Sequence, residues 1–239
     1  MIVVPIGGLG NRLRTVLSWR AVHGPITVVW CRSDAVCRGR WEDAFLPLEG
    51  VEIVDGGECH AHEYTGRHDV MSCGVCPGLE GADWCKAYTE LRPRSWLLGG
   101  PETRPYVAIH ARRTDHVSHA KEHGHFTANE ELLEWYMRDA PRGRGLYLAT
   151  DCPDTLAWFR KRVPNVLAHR TPERVVGYEK RPGLLGEAVL DLYACVRAEG
   201  FRGSWFSSFS ETVEIMRSPP ARFCEREHMP STDGERRVR

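Results

Sequence analysis

Short apolar runs alternate with helix-spaced segments along this sequence, and the alternation occurs twice. Ile2-Val3-Val4-Pro5-Ile6 has the length and β-branched character of a buried strand. Behind it, Leu13, Val16, Leu17 and Ala21 recur at helical spacing, and Gly24-Pro25 closes the helix. Ile26-Thr27-Val28-Val29-Trp30 and Val51-Glu52-Ile53-Val54 read as two more strands. Strand, helix, strand in that order is the pattern of a parallel α/β unit. After Gly99-Gly100-Pro101 it starts again. Residues 105–109 and 146–149 read as strands, with a brief one at 166–168. Thr127-x-x-Glu130 fits a capping box before a helix carrying Leu132, Leu133, Tyr136 and Met137. Pro153 opens the next helix. Leu184, Leu185, Ala188, Val189, Leu192 and Val196 share one face of a longer helix. Ser208-x-x-Glu211 fits a second capping box, opening the last helix.

The expected fold is therefore α/β, with two Rossmann-like halves facing a cleft. Residues 1–99 form one half and 100–217 the other. Residues 218–239 read as a polar tail. Residues 56–78, rich in Gly, His and Cys, show no period and read as a loop insert. With 42% hydrophobic and 27% charged residues, the chain can bury a core. Lys+Arg and Asp+Glu stand at 32 each, so no bulk positive field draws it to nucleic acid. No apolar run reaches the length of a membrane span, and residues 1–6 lack the charged start and long apolar stretch of a signal peptide. A cytoplasmic protein with reduced thiols and no membrane partner is expected.

Three loops could carry chemistry. Gly7-Gly8-Leu9-Gly10-Asn11 joins the first strand to the first helix, where glycines admit a ligand and a helix N-terminus attracts anions; a plain tight turn would also use them. The third glycine of a dinucleotide fingerprint is replaced by Leu13, which weighs against a nicotinamide cofactor. His110-Ala111-Arg112-Arg113-Thr114-Asp115 begins at a strand end, where open α/β sheets bind ligands. One guanidinium could fork onto phosphate oxygens while the other pairs with Asp115; a solvated charge cluster is the plainer alternative. Ser204-Trp205-Phe206-Ser207-Ser208-Phe209 opens the last helix, where Ser208 could cap it, cradle a phosphate, or both.

Together these residues resemble a known family. His110-x-Arg112-Arg113-x-Asp115 is similar to the central motif of α1,6-fucosyltransferases, and protein O-fucosyltransferases carry related motifs. Gly7-Gly8-Leu9-Gly10-Asn11-Arg12-Leu13 resembles their glycine-rich loop, and Ala149-Thr150-Asp151 their strand-end motif. Leu190-Asp191-Leu192-Tyr193 and Phe206-Ser207-Ser208-Phe209-Ser210 resemble their C-terminal donor motif. The resemblance implies a GT-B fold, GDP-fucose as donor, and transfer with inversion and without a metal or other cofactor. Arg112 would hold the β-phosphate and stabilise the departing GDP, and Ser207 and Ser208 would bind the same diphosphate. His110 and Asp191 would contact the nucleoside. Gly8, Gly10, Asn11, Arg12, Asp151 and Phe209 would line the donor site, while Arg113 and Asp115 would hold the loop. Inversion needs a base on the acceptor hydroxyl, for which Glu122, His119 and His123 are rivals. The chain is short for such an enzyme, so a compact version with a trimmed acceptor half is expected. The acceptor is open: a glycan, a peptide, a small molecule or a modified nucleic-acid base. A non-catalytic relative that only binds nucleotide sugars or glycans is the alternative, as is a transferase using another nucleotide sugar.

The stretch from Cys59-His60-x-His62 through Cys73-x-x-Cys76 to Cys85 could hold a structural zinc or simply carry free thiols.

Overall fold

The structure, a computed structural model, describes residues 1–32, 37–58, 61–79, 83–98, 105–113, 117–169 and 184–217, without the side chains of residues 62, 83–85 and 119. The expected linker at residues 99–101 and the expected tail lie outside the described residues.

The first sheet is built from β1 (Ile2–Pro5), β2 (Ile26–Trp30), β3 (Val51–Asp55) and β4 (Val70–Ser72), in the order β3-β2-β1-β4. The second uses β5 (Tyr106–Ala111), β6 (Gly145–Thr150), β7 (Val166–Leu167) and β8 (Phe201–Gly203), in the order β7-β6-β5-β8. All pairs are parallel. Each sheet thus repeats one arrangement, with its fourth strand added beside its first. Order reverses there, and a crevice opens between β1 and β4 and again between β5 and β8.

The helices are α1 (Leu9–His23), α2 (Trp41–Ala44), α3 (Asp83–Glu90), α4 (Val117–Glu122), α5 (Asn129–Arg138), α6 (Pro153–Arg160), α7 (Leu185–Arg197) and α8 (Ser208–Arg217). β5 is buried along its whole length, which explains its continuous apolar character. One face of the second sheet presents Val107, Ile109, Leu146 and Leu148 to Leu132 of α5 and to Leu156 and Phe159 of α6. The other presents Tyr106, Ala108, Tyr147 and Ala149 to a larger core that includes Val189 and Leu192 of α7, Leu13 and Leu17 of α1, and Val213 and Ile215 of α8.

That larger core belongs to both halves. α8 lies along α1, where Arg14 pairs with Glu211. The Leu185 amide donates to the Arg38 carbonyl at 2.7 Å, and the Tyr193 hydroxyl to the Leu91 carbonyl at 2.9 Å. The Arg217 guanidinium covers the carbonyl end of α7, donating to Cys195 at 3.1 Å and Val196 at 2.9 Å, the sign that a helix C-terminus favours.

Both expected capping boxes are misplaced. Thr127 is buried, and α5 starts behind Ala128 with no side-chain cap. α8 is capped by Ser207: its carbonyl accepts the Glu211 amide at 2.9 Å and its Oγ the Ser210 amide at 3.4 Å. Glu211 turns instead to Arg14, a charged and hence stronger partner than a backbone amide. The strand β4 lies inside the stretch expected to be loop.

Candidate functional site

The second crevice is assembled from two strand ends. On the β5 side, the Thr150 hydroxyl donates to the Ala111 carbonyl at 2.6 Å, and the Arg113 amide donates to Asp151 Oδ1 at 2.7 Å. The Arg113 guanidinium donates from Nε and Nη2 to Asn129 Oδ1 at 3.0 and 2.8 Å, from Nη1 to the Arg112 carbonyl at 3.1 Å, and lies over Phe126. Burial lowers its pKa, opposed by the Asp151 charge, yet an arginine so placed stays protonated. Arg113 is thus a brace. Asp115, its expected partner, lies outside the described residues; Asp151 and Asn129 hold Arg113 in this structure.

On the β8 side, the Ser204 amide donates to the His110 carbonyl at 3.0 Å. Ser204 Oγ accepts the Arg112 amide at 3.1 Å and donates to the His110 carbonyl at 3.1 Å. This hydroxyl sews the arginine motif to the turn that launches α8. Within that turn Phe206 stands at φ 54°, a left-handed conformation that bulky residues rarely adopt. His110, buried, shares a 2.8 Å hydrogen bond between Nδ1 and Ser210 Oγ and packs its ring on Phe209. Arg112 and Ser204 are therefore bonded at one end of the sheet, and the turn that carries Ser207 and Ser208 starts there.

The glycine loop arrives from the other half. Gly7 needs its freedom for a φ of 84°. Gly10 needs it for packing: a Cβ there would come within 2.5–2.6 Å of the Ser208 carbonyl and the Phe209 nitrogen. The first turn of α1 therefore touches the first turn of α8, and the positive ends of both helices meet. Gly8 answers neither need. Its φ is −74° and a Cβ would find nothing within 4 Å, a combination no other described glycine shows.

Other expected residues have different surroundings. Arg12 does not line an open cleft: it is 0% exposed, donates to the carbonyls of Gly7 at 3.0 Å and Cys31 at 3.1 Å, and lies over Trp30. Its chemistry is that of a clamp on the ends of β1 and β2. The Asp191 carboxylate, on α7, accepts the Tyr147 hydroxyl at 2.6 Å; burial first, then this charge, push the Tyr147 pKa up. Asn11 is half-buried beside Gly7. Glu122 and His123 are exposed at the end of α4, and the His119 side chain lies outside the described set. The rings of His123 and His125 rest on Phe206, so the segment after the arginine motif folds over the serine turn.

Cys59 and the Cys85 side chain likewise lie outside the described residues. Cys76 is buried 3.5 Å from His23 Nε2, its pKa raised by burial, and Cys73 is half-buried. Among the described residues no three His, Cys, Asp or Glu side chains gather as a metal site would require. Asn129 was not a candidate on sequence, and Ser204, Thr150 and Ser210 were named only as members of motifs, with no role of their own. They are ordinary polar residues whose partners lie between 16 and 100 positions away.

Neither a family model nor a curated protein sequence matches the chain. Solved structures do. NodZ alpha-1,6-fucosyltransferase soaked with GDP-fucose superposes with a TM-score of 0.56 at 14% identity, over 90% of this chain and 92% of that one. Fucosyltransferase NodZ from Bradyrhizobium gives 0.56 at 14% identity, over 90% and 93%. POFUT1 in complex with GDP gives 0.52 at 12%, over 91% and 94%. The chain thus has a GT-B-like α/β fold, shared with these solved structures. The match extends over nearly all of those chains, and the compact size of this one fits the fold.

Proposed function

We propose that this protein is a glycosyltransferase that moves fucose from GDP-fucose to a hydroxyl acceptor, with inversion and without a metal. The observation that carries the reading is the meeting of two helix N-termini beneath Gly8, beside a strand end that carries Arg112. Unpaired amides and dipole ends of like sign favour an anion there. An unobstructed glycine lets a phosphate approach the backbone, which a side chain would prevent. That solved structures of this fold hold GDP and GDP-fucose supports the choice of donor.

In this reading the diphosphate lies over Gly8, Gly10 and the Ser207–Ser208 turn, with Asn11 and Phe209 at its margin and Arg112 on the β-phosphate. His110 and Asp191 serve the nucleoside end, while Asp151, through Arg113, keeps the arginine loop in place. The acceptor oxygen attacks the anomeric carbon as the bond to the β-phosphate oxygen breaks. The electron pair leaves with GDP, where arginine and amide dipoles stabilise the growing charge. The acceptor proton passes to a base carried by the segment after the arginine motif, where Glu122, His119 and His123 lie. The reading also takes the protein to be cytoplasmic and its Cys/His-rich stretch to be free of zinc, which elemental analysis would check.

A thermal-shift series with GDP-, UDP- and dTDP-sugars tests the donor. GDP and GDP-fucose should stabilise the fold and the others should not; no shift with GDP ends the proposal. The exposure of Glu122 favours a second reading, a relative that binds nucleotide sugars without turning them over. Release of GDP from GDP-fucose above background, undiminished by EDTA, would exclude it.

A further inference from the structure

Beside the crevice, aromatic rings join two segments. His125 stacks on Trp205 at 5.7 Å with 27° between planes and also packs on Phe206 at 4.7 Å. His123 reaches Phe206 at 5.9 Å. Phe126, next along, lies under Arg113 and Lys121, each at 5.1 Å. The ring cluster therefore rests on the braced arginine at one end and on the left-handed turn at Phe206 at the other. Trp205 stands out within it. It is 41% exposed, yet one neighbour in sequence is Ser204, which holds the Arg112 amide, and two positions on is Ser207, which caps α8. A large indole is thus kept at the surface at the edge of the candidate site, its tilt set by His125.

We infer that Trp205, backed by His125, is a stacking platform for a sugar ring of a saccharide acceptor. The inference rests on the transferase reading and names the acceptor class that reading leaves open. A rigid indole offers a broad apolar face at small entropic loss, together with an N–H donor at its rim. A pyranose matches that pairing, with C–H bonds on its face and hydroxyls around its edge. The equality of 32 basic and 32 acidic residues gives no field that would gather a polyanion, which favours a neutral glycan over a nucleic acid.

The test uses the full chain saturated with GDP on an array of neutral oligosaccharides, with oligonucleotides and unglycosylated peptides as other features. Wild type should bind a subset of the saccharides. Trp205→Ala should lower that signal at least tenfold, Trp205→Phe should restore part of it, and His125→Ala should give an intermediate loss. The GDP thermal shift of all three variants should match wild type, which separates a lost platform from a misfolded chain. Saccharide binding that survives Trp205→Ala, or binding to peptides or oligonucleotides alone, or to nothing on the array, overturns the platform. A wild-type protein that ignores GDP overturns the underlying transferase reading instead.

Discussion

At the strand ends of the first sheet the chain satisfies itself: Arg12 takes the carbonyls of Gly7 and Cys31 and covers Trp30, and the Thr15 hydroxyl reaches the carbonyls of Ser72 and Gly74 across the first crevice. The second sheet has a matching brace. Arg113 takes Asn129 and the Arg112 carbonyl and covers Phe126. What differs is the surplus. The second half adds Arg112 directly before its brace, and it adds a serine turn whose helix meets the glycine loop of the first half. One topology used twice thus yields one crevice whose strand ends are held by buried side chains and one that, on the reading proposed above, takes an anion. Fold and site are separate in cause: strand order makes a crevice, and a few residues at the strand ends decide whether it is filled or left to a ligand.

The comparison can be broken in four places. Arg12→Leu removes two charge-assisted hydrogen bonds from a fully buried site and should destabilise the protein by about 4 kcal/mol, read from urea unfolding, while leaving any residual folded protein able to bind GDP. A loss under about 1 kcal/mol would mean the first crevice does not depend on its clamp. Arg112→Ala should do the reverse: little change in unfolding, and GDP binding weaker by about 3 kcal/mol, or roughly a hundredfold in Kd by calorimetry. Unchanged affinity would remove Arg112 from the donor site.

The glycines sharpen the contrast. Gly10→Ala drives a methyl group into the Ser208 backbone and should cost about 2 kcal/mol of stability. Gly8→Ala meets no protein atom, so the fold should keep its stability while GDP binding falls. Equal effects of the two variants on both readouts would erase the distinction drawn between them.

The smallest effect concerns pH. Tyr106, Tyr147 and Tyr193 of the second half all have raised pKa values, chiefly through burial. A phenol whose folded pKa exceeds its unfolded value near 10 lends stability that is complete below about pH 10 and is lost as pH rises beyond it. Urea midpoints should therefore fall above about pH 10, and Tyr147→Phe should flatten that limb by about 1 kcal/mol. A wild-type midpoint constant to pH 11 would contradict the burial of these phenols.

Much of this was legible in the sequence. The long helices α1 and α7 and the buried strands β2, β5 and β6 declare themselves because each carries enough apolar residues for a period to emerge. The arginine and serine motifs were readable because guanidinium pairs at a strand end and hydroxyl-rich helix starts suit a phosphate, although bracing and capping draw on the same residues. The strands that create the crevices were not. β4 and β8 have three residues each and owe their form to hydrogen bonds offered by β1 and β5, so no local pattern marks them. The roles of Arg12 and Arg113 were hidden for a related reason. A guanidinium reads the same in sequence whether it faces solvent, a ligand or a buried carbonyl, and only the fold distinguishes Arg12 under Trp30 from Arg112 beside the serine turn.

The packing of α8 along α1 joins residues about 200 positions apart, and it has a bearing on biosynthesis. A nascent chain still on the ribosome can form the first sheet, yet the flank of α1 that α8 covers stays bare until Arg217 has left the exit tunnel. The contact between the first turns of α1 and α8, the proposed anion cradle, is completed by that same late event. A chain cut short before Ser208 would therefore present a sticky helix to chaperones and proteases, and on the proposed reading it would hold no nucleotide, so that nucleotide retention would report translation through the last described helix.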